Sequence, residues 1–170
     1  LAEDVDTSRS DGPLISAASS TGNRCCLHLN GKKLINRGNV ALAGGVSRFN
    51  IMGDGIVTGK GLANSACDRG GALDIAGTVN LYGGTYKHTG SYPSVVSRGS
   101  SGGINIYNGT RITGTAGVSG SNVRIYVSYL NVYGGIIENG IADQGGNIYA
   151  GKNAKITIAG GGISVLAASE

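Results

Sequence analysis

An internal repeat constrains this chain more than any other feature. The order apolar, polar, apolar, any residue, then Gly or Asn occurs six times, with another Gly nearby. The copies are Leu27-His28-Leu29-Asn30-Gly31, Phe49-Asn50-Ile51-Met52-Gly53, Val79-Asn80-Leu81-Tyr82-Gly83-Gly84, Ile104-Asn105-Ile106-Tyr107-Asn108-Gly109, Leu130-Asn131-Val132-Tyr133-Gly134-Gly135 and Ile156-Thr157-Ile158-Ala159-Gly160-Gly161. Their first residues are separated by 22, 30, 25, 26 and 26 residues. A recurrence of roughly 20–50 residues marks a solenoid, propeller or array, because one such unit cannot bury its apolar face alone. The spacing is too short for a propeller blade. The Leu and Asn signature of a leucine-rich repeat is missing, and no 3.6-residue periodicity between copies supports a helical repeat.

Further short strands precede several copies, at Gly70–Ile75, Asn122–Tyr126 and Gly145–Tyr149. Short β-branched runs punctuated by Gly indicate strands joined by tight corners. The chain is therefore expected to be all-β: a right-handed parallel β-helix, or β-solenoid, of about six coils with two or three strands each. Side chains alternate faces along a strand. Leu27, Phe49, Val79, Ile104, Leu130 and Ile156 should form one inward ladder, and Leu29, Ile51, Leu81, Ile106, Val132 and Ile158 a second. Residues 1–24 are Ser- and Asp-rich, contain Pro13 and read as an irregular N-terminal cap, with Leu14 and Ile15 laid over the first coil. The solenoid is expected over 25–166, followed by a tail at 167–170. Ile163-Ser164-Val165-Leu166 still alternates, with no helix or charged plug after it, so the last coil should meet further chain or another subunit.

Charged residues make up only 14% of the 170, so Asn, Ser, Thr, Gly and Tyr must cover much of the surface. The net charge of +4 is spread along the chain, leaving no basic footprint for nucleic acid. No apolar run approaches about 18 residues, so no transmembrane helix is expected. The three cysteines, Cys25, Cys26 and Cys67, are odd in number. They allow a bridge from Cys25 or Cys26 to Cys67, or small buried thiols filling the core. Neither they nor the two histidines stand at zinc-ligand spacing, so no metal or cofactor is expected.

Leu27-His28-Leu29-Asn30-Gly31-Lys32-Lys33-Leu34, Gly70 to Gly84 and Leu130 to Gly146 carry a resemblance. At these segments the chain resembles the pectate-lyase-like right-handed β-helix superfamily, and within it the Gly-rich repeats of bacterial surface proteins and adhesins. The resemblance implies an extracellular or cell-surface setting and covers about residues 25–165. That superfamily also includes lyases, hydrolases, phage tailspikes and passive stalks, so fold alone leaves function open.

Lyase or hydrolase chemistry needs several carboxylates on one face, close enough to share a metal or shift one another's pKa. Asp54, Asp68, Asp74, Glu138, Asp143 and Glu170 are not at equivalent positions in adjacent copies. Asp68-Arg69 with Asp74 is the densest patch and reads as a solvated turn, and Lys87-His88 reads as surface. No catalytic residue is assigned. The outer face is more informative. Tyr82, Tyr107 and Tyr133 share one repeat position, beside Asn50, Asn80, Asn105 and Asn131. Like residues stacking on like would suffice to explain such columns. Aromatic rings flanked by amides also suit sugars or a protein surface. The expectation is a non-enzymatic structural or adhesive solenoid that self-associates through its ends or adjoins further domains. A carbohydrate-binding module, or a fragment of a polysaccharide lyase or hydrolase, is the alternative.

Overall fold

A computed structural model describes residues 1–17, 24–45, 48–63, 68–114, 117–119 and 122–164, with backbone only at 117–119. The chain is an all-β parallel β-solenoid of about five turns. Three sheets form its walls. Sheet 1 stacks β1 (Val5–Thr7), β4 (Lys33–Asn36), β7 (Ile56–Gly59), β10 (Gly84–His88), β13 (Thr110–Thr113), β17 (Ile136–Glu138) and β21 (Gly162–Ser164). Sheet 2 stacks β2 (Ile15–Ala17), β5 (Leu42–Gly44), β8 (Leu73–Ile75), β11 (Val95–Ser97), β15 (Val123–Ile125) and β19 (Ile148–Ala150). Sheet 3 stacks β3 (Arg24–His28), β6 (Arg48–Met52), β9 (Thr78–Tyr82), β12 (Gly103–Ile106), β16 (Tyr129–Val132) and β20 (Lys155–Ile158). A fourth, minor pair joins β14 (Gly117–Ser119) to β18 (Ala142–Gln144). The coil number is slightly lower than the six expected.

The repeated motif is the sheet 3 strand together with the corner that leads into sheet 1. Its closing glycine is the reason for the spacing. Gly31, Gly53, Gly83, Gly84, Gly109, Gly135 and Gly161 all have φ between 71° and 123°. A side chain is strained there, so the corner selects Gly coil after coil.

Pairing between coils sets which residues meet. Phe49, Val79, Ile104, Leu130 and Ile156 align, as do Ile51, Leu81, Ile106, Val132 and Ile158, as expected. The first copy is displaced by two residues from its expected place. Cys25 pairs with Phe49 and Leu27 with Ile51, while Leu29 lies beyond the strand, fully buried at the corner. Because the side-chain period is two, a two-residue shift keeps every face unchanged, and the alternation Cys25, Leu27, Leu29 could not distinguish the registers. The N-terminal region is also more regular than expected. Val5–Thr7 pairs in parallel with Leu34–Asn36, and Ile15–Ala17 with Leu42–Gly44, so these residues supply strands of the first coil. Leu14 and Ile15 do pack against the core, but as part of that coil.

Inside, Leu34, Val57, Tyr86, Ile112 and Ile137 from sheet 1 face the sheet 3 ladders, with Leu42, Leu73, Val95 and Val123 from sheet 2. Tyr86 is fully buried. Its hydroxyl donates to the Gly83 carbonyl at 3.0 Å, and burial pushes its ionisation far above the ordinary tyrosine value. Interior coils are covered by a neighbour on each side, and exposure rises at the last described coil. Ile106 is 0% exposed, whereas Ile156 is 42% and Ile158 56% exposed. Ile106→Ala should therefore cost about 2–5 kcal/mol, and Ile156→Ala no more than about 1 kcal/mol, measured by urea unfolding. Equal losses would show that the coils do not bury each other as described.

Candidate ligand-binding face

The outer side of sheet 3 carries two parallel columns. In the first, the rings of Tyr82 and Tyr107 stack with centroids 4.5 Å apart and planes 12° apart. Those of Tyr107 and Tyr133 stack at 5.3 Å and 22°. These separations match the strand spacing of about 4.8 Å, so the backbone itself sets the stack. Tyr82 and Tyr133 remain 43% and 47% exposed. Burial first, and then the flanking phenols, raise the Tyr107 pKa above its ordinary value.

The second column is an amide ladder. Nδ2 of Asn80 donates to Oδ1 of Asn50 at 2.8 Å, Asn105 to Asn80 at 2.7 Å, and Asn131 to Asn105 at 2.9 Å. At its head Asn50 Nδ2 lies 3.6 Å from Cys26 Sγ. The structure thus brings together all six residues expected on this face, Tyr82, Tyr107, Tyr133, Asn80, Asn105 and Asn131. Stacked rings and bonded amides have little rotamer freedom left to lose, so the face is held in one arrangement. Beyond the amides, Tyr129 lies above Gly103, where a Cβ would meet its ring at 2.7 Å, and its hydroxyl sits 3.4 Å from Thr78 Oγ1. A depression of about 270 Å³ adjoins it, lined by Ser100, Ser101, Gly102, Val127, Ser128, Tyr129, Asn153 and Lys155.

The other expected sites resolve differently. Cys25 and Cys26 are exposed and free, which corrects the reading of buried core thiols for these two. They lie on the outermost strand of sheet 3, which has a neighbour on one side only among the described residues. Cys67 lies outside the described residues. Asp74 is not a solvated turn. Its carboxylate is inaccessible, held by Arg69 Nε at 2.5 Å and bidentately by Arg98 at 2.6 and 2.8 Å. Asp68 accepts from Arg124 Nη1 at 2.7 Å, and the Arg124 guanidinium lies 4.8 and 5.1 Å from the ring centroids of Tyr126 and Tyr149. Leu62 and Arg69, within the longest repeat interval, form an antiparallel bridge, and the Arg69–Asp74 and Arg124–Asp68 pairs fasten these residues to sheet 2. Glu138 is paired with Arg111.

His88 is also corrected. It is 8% exposed, with Nδ1 3.0 Å from Ser94 Oγ, and Ser94 donates to the Thr113 carbonyl at 2.8 Å. The alternation Gly84, Tyr86, His88 in β10 carried this signal, because Tyr86 and His88 must share the inner face. The same corner between sheets 1 and 2 holds a polar column that motif reading missed. Asn36 donates to the Val40 carbonyl, and Asn122 to Asn147 Oδ1 and the Glu138 carbonyl. In the Asn108-Gly109-Thr110 turn, Thr110 is buried and its hydroxyl donates to the Leu81 carbonyl.

On the outer side of sheet 1, Lys33, Ile35, Arg37, Ile56, Thr58, Lys87 and Thr89 line a second depression of about 290 Å³. Arg37 there is paired with Asp6 at 2.7 Å and holds its carboxyl below the ordinary value. Among the described residues no group of three or more His, Cys, Asp or Glu side chains could hold a metal ion. None of the helices needed to cross a membrane is found among them either.

Comparison of the chain with protein-family models, with curated proteins and with solved structures gave no match in any of the three. The fold and the face described above therefore stand on the chain's own geometry.

Asp74→Ala should leave two arginines facing a buried void and cost about 3–5 kcal/mol in urea unfolding. Asp11→Ala, at an exposed ion pair with Arg9, should leave the midpoint unchanged. An unchanged midpoint for Asp74→Ala would return this patch to consideration as a functional cluster.

Proposed function

We propose that this chain is a non-enzymatic structural and adhesive β-solenoid of an extracellular or cell-surface protein, and that it holds glycans on the Tyr–Asn face of sheet 3. A place among the pectate-lyase-like β-helix proteins, near the repeats of bacterial surface proteins, is part of this reading. The observation that carries it is the exposed stack of Tyr82, Tyr107 and Tyr133 beside an unbroken amide ladder. Rings exposed to solvent offer apolar area and phenolic hydroxyls at low entropic cost, and amides supply directional hydrogen bonds. Sugars present this same combination of apolar C–H faces and hydroxyl edges. The ion pairs at Asp68, Asp74 and Glu138 support a structural role for the carboxylates that a hydrolytic reading would need. Wild-type protein should bind members of an immobilised glycan panel, and the triple substitution of Tyr82, Tyr107 and Tyr133 by Ala should remove that binding while the β circular dichroism persists. Equal binding by the triple variant would refute the reading.

End-to-end self-association is a second reading, favoured by a separate observation. Ile156, Ile158 and Ile163 occupy inward positions yet are 42%, 56% and 38% exposed, whereas Leu130, Val132 and Ile137, one coil earlier, are 0% exposed. A further coil from a second copy would bury them, and a head-to-tail contact of that kind propagates. Electron microscopy across a concentration series should then show fibres with a repeat of about 4.8 Å along the axis. Single short particles at every concentration would remove this reading.

A further inference from the structure

The tyrosine stack has two unlike ends. Tyr107 carries a ring against each face, so it presents only its edge to solvent. Tyr82 and Tyr133 each keep one face free of another ring. Beside Tyr82 the column continues to Met52, a long, half-buried side chain paired directly with it. Beside Tyr133 it continues to Ala159, whose amide donates to the Val132 carbonyl at 2.8 Å and so lies on the next rung. Ala159 is exposed and stops at its methyl group. Where the three preceding rungs place a ring, this rung leaves a ring-sized space against Tyr133 among the described residues.

The amide ladder ends at the same rung, and it has a direction. Every Nδ2 points back toward Asn50, so Asn131 Oδ1 is the last acceptor, and among the described residues no donor is directed to it. Aligned amides polarise one another, by about 10–30% per bond, which strengthens that terminal oxygen. Thr157, paired with Asn131 one rung on, is exposed and adds a hydroxyl.

We propose that Tyr133, Asn131, Thr157 and Ala159 form a site for one pyranose unit of a glycan. The sugar ring stacks on the free face of Tyr133 above Ala159, while its hydroxyls donate to Asn131 Oδ1 and bond with Thr157. This rests on the reading of the Tyr–Asn face as a glycan surface and narrows it to one end. A pyranose supplies both requirements at once: an apolar C–H face of about ring size and hydroxyl donors at its rim. A purely aromatic ligand would cover Tyr133 and leave the Asn131 acceptor unmet.

The test is Ala159→Tyr, which places a fourth ring in the space and caps the stack. Titration calorimetry with soluble cello-, chito- and manno-hexaose, with oligogalacturonate as an acidic comparison, reads the affinity. Ala159→Tyr and Tyr133→Ala should each weaken binding roughly tenfold or more, and Asp11→Ala, at the exposed ion pair with Arg9, should stay within about twofold of wild type. The urea midpoint of Ala159→Tyr should be unchanged or higher, which separates blockage from misfolding. If Ala159→Tyr binds like wild type while the triple tyrosine variant loses binding, the end site is wrong and the face reading survives. If the wild-type protein binds no member of the panel, both fall.

Discussion

Parallel pairing of each coil with the next, in register, is the constraint on which everything else here depends. It fixes the separation between equivalent residues at the strand spacing and repeats it around three walls. Inside, that spacing packs Ile104 against Leu130 and Ile106 against Val132. Outside, it is the distance at which phenol rings stack and carboxamides bond one another. The same backbone rule therefore produces the dry core and the ordered polar face, and neither needs a separate device.

The cost of this arrangement falls at corners and ends. Every corner between sheets 3 and 1 demands a left-handed residue, which Gly supplies. The corners between sheets 1 and 2 bury backbone that no ladder satisfies, and Asn36, Asn122, Asn147 and Ser94 meet that demand. In the last described coil, inward isoleucines are accessible and the outer columns stop with one unused face. The functional candidates gather at these interruptions. Interior rungs satisfy themselves, as Tyr107 does between two rings, so a column can offer a ligand something new only at its end.

Much of this was legible from residues alone. Period-two alternation placed Phe49, Ile51, Val79 and Leu81 inward, and equal repeat positions placed Tyr82, Tyr107 and Tyr133 together. The first copy was misaligned because a shift of two residues is invisible to alternation, leaving Leu27 and Leu29 interchangeable. Val5–Thr7 and Ile15–Ala17 escaped notice because three-residue strands are too short to carry a period. They become strands only by pairing with Leu34–Asn36 and Leu42–Gly44. Asp68 and Asp74 read as a solvated turn because Arg124, which holds Asp68, and Arg98, which holds Asp74, come from later coils, 56 and 24 residues away.

The sequence by itself determined the coil. Glycine at each corner, apolar alternation between corners and a nearly constant interval admit one kind of architecture, because these are local backbone requirements written into every repeat. Only the tertiary structure decided which residues of neighbouring coils face one another, which carboxylates are neutralised, and where each ladder ends. Those outcomes depend on register between segments some 25 residues apart. Register is set by the summed pairing of whole coils, and no single coil contains that information.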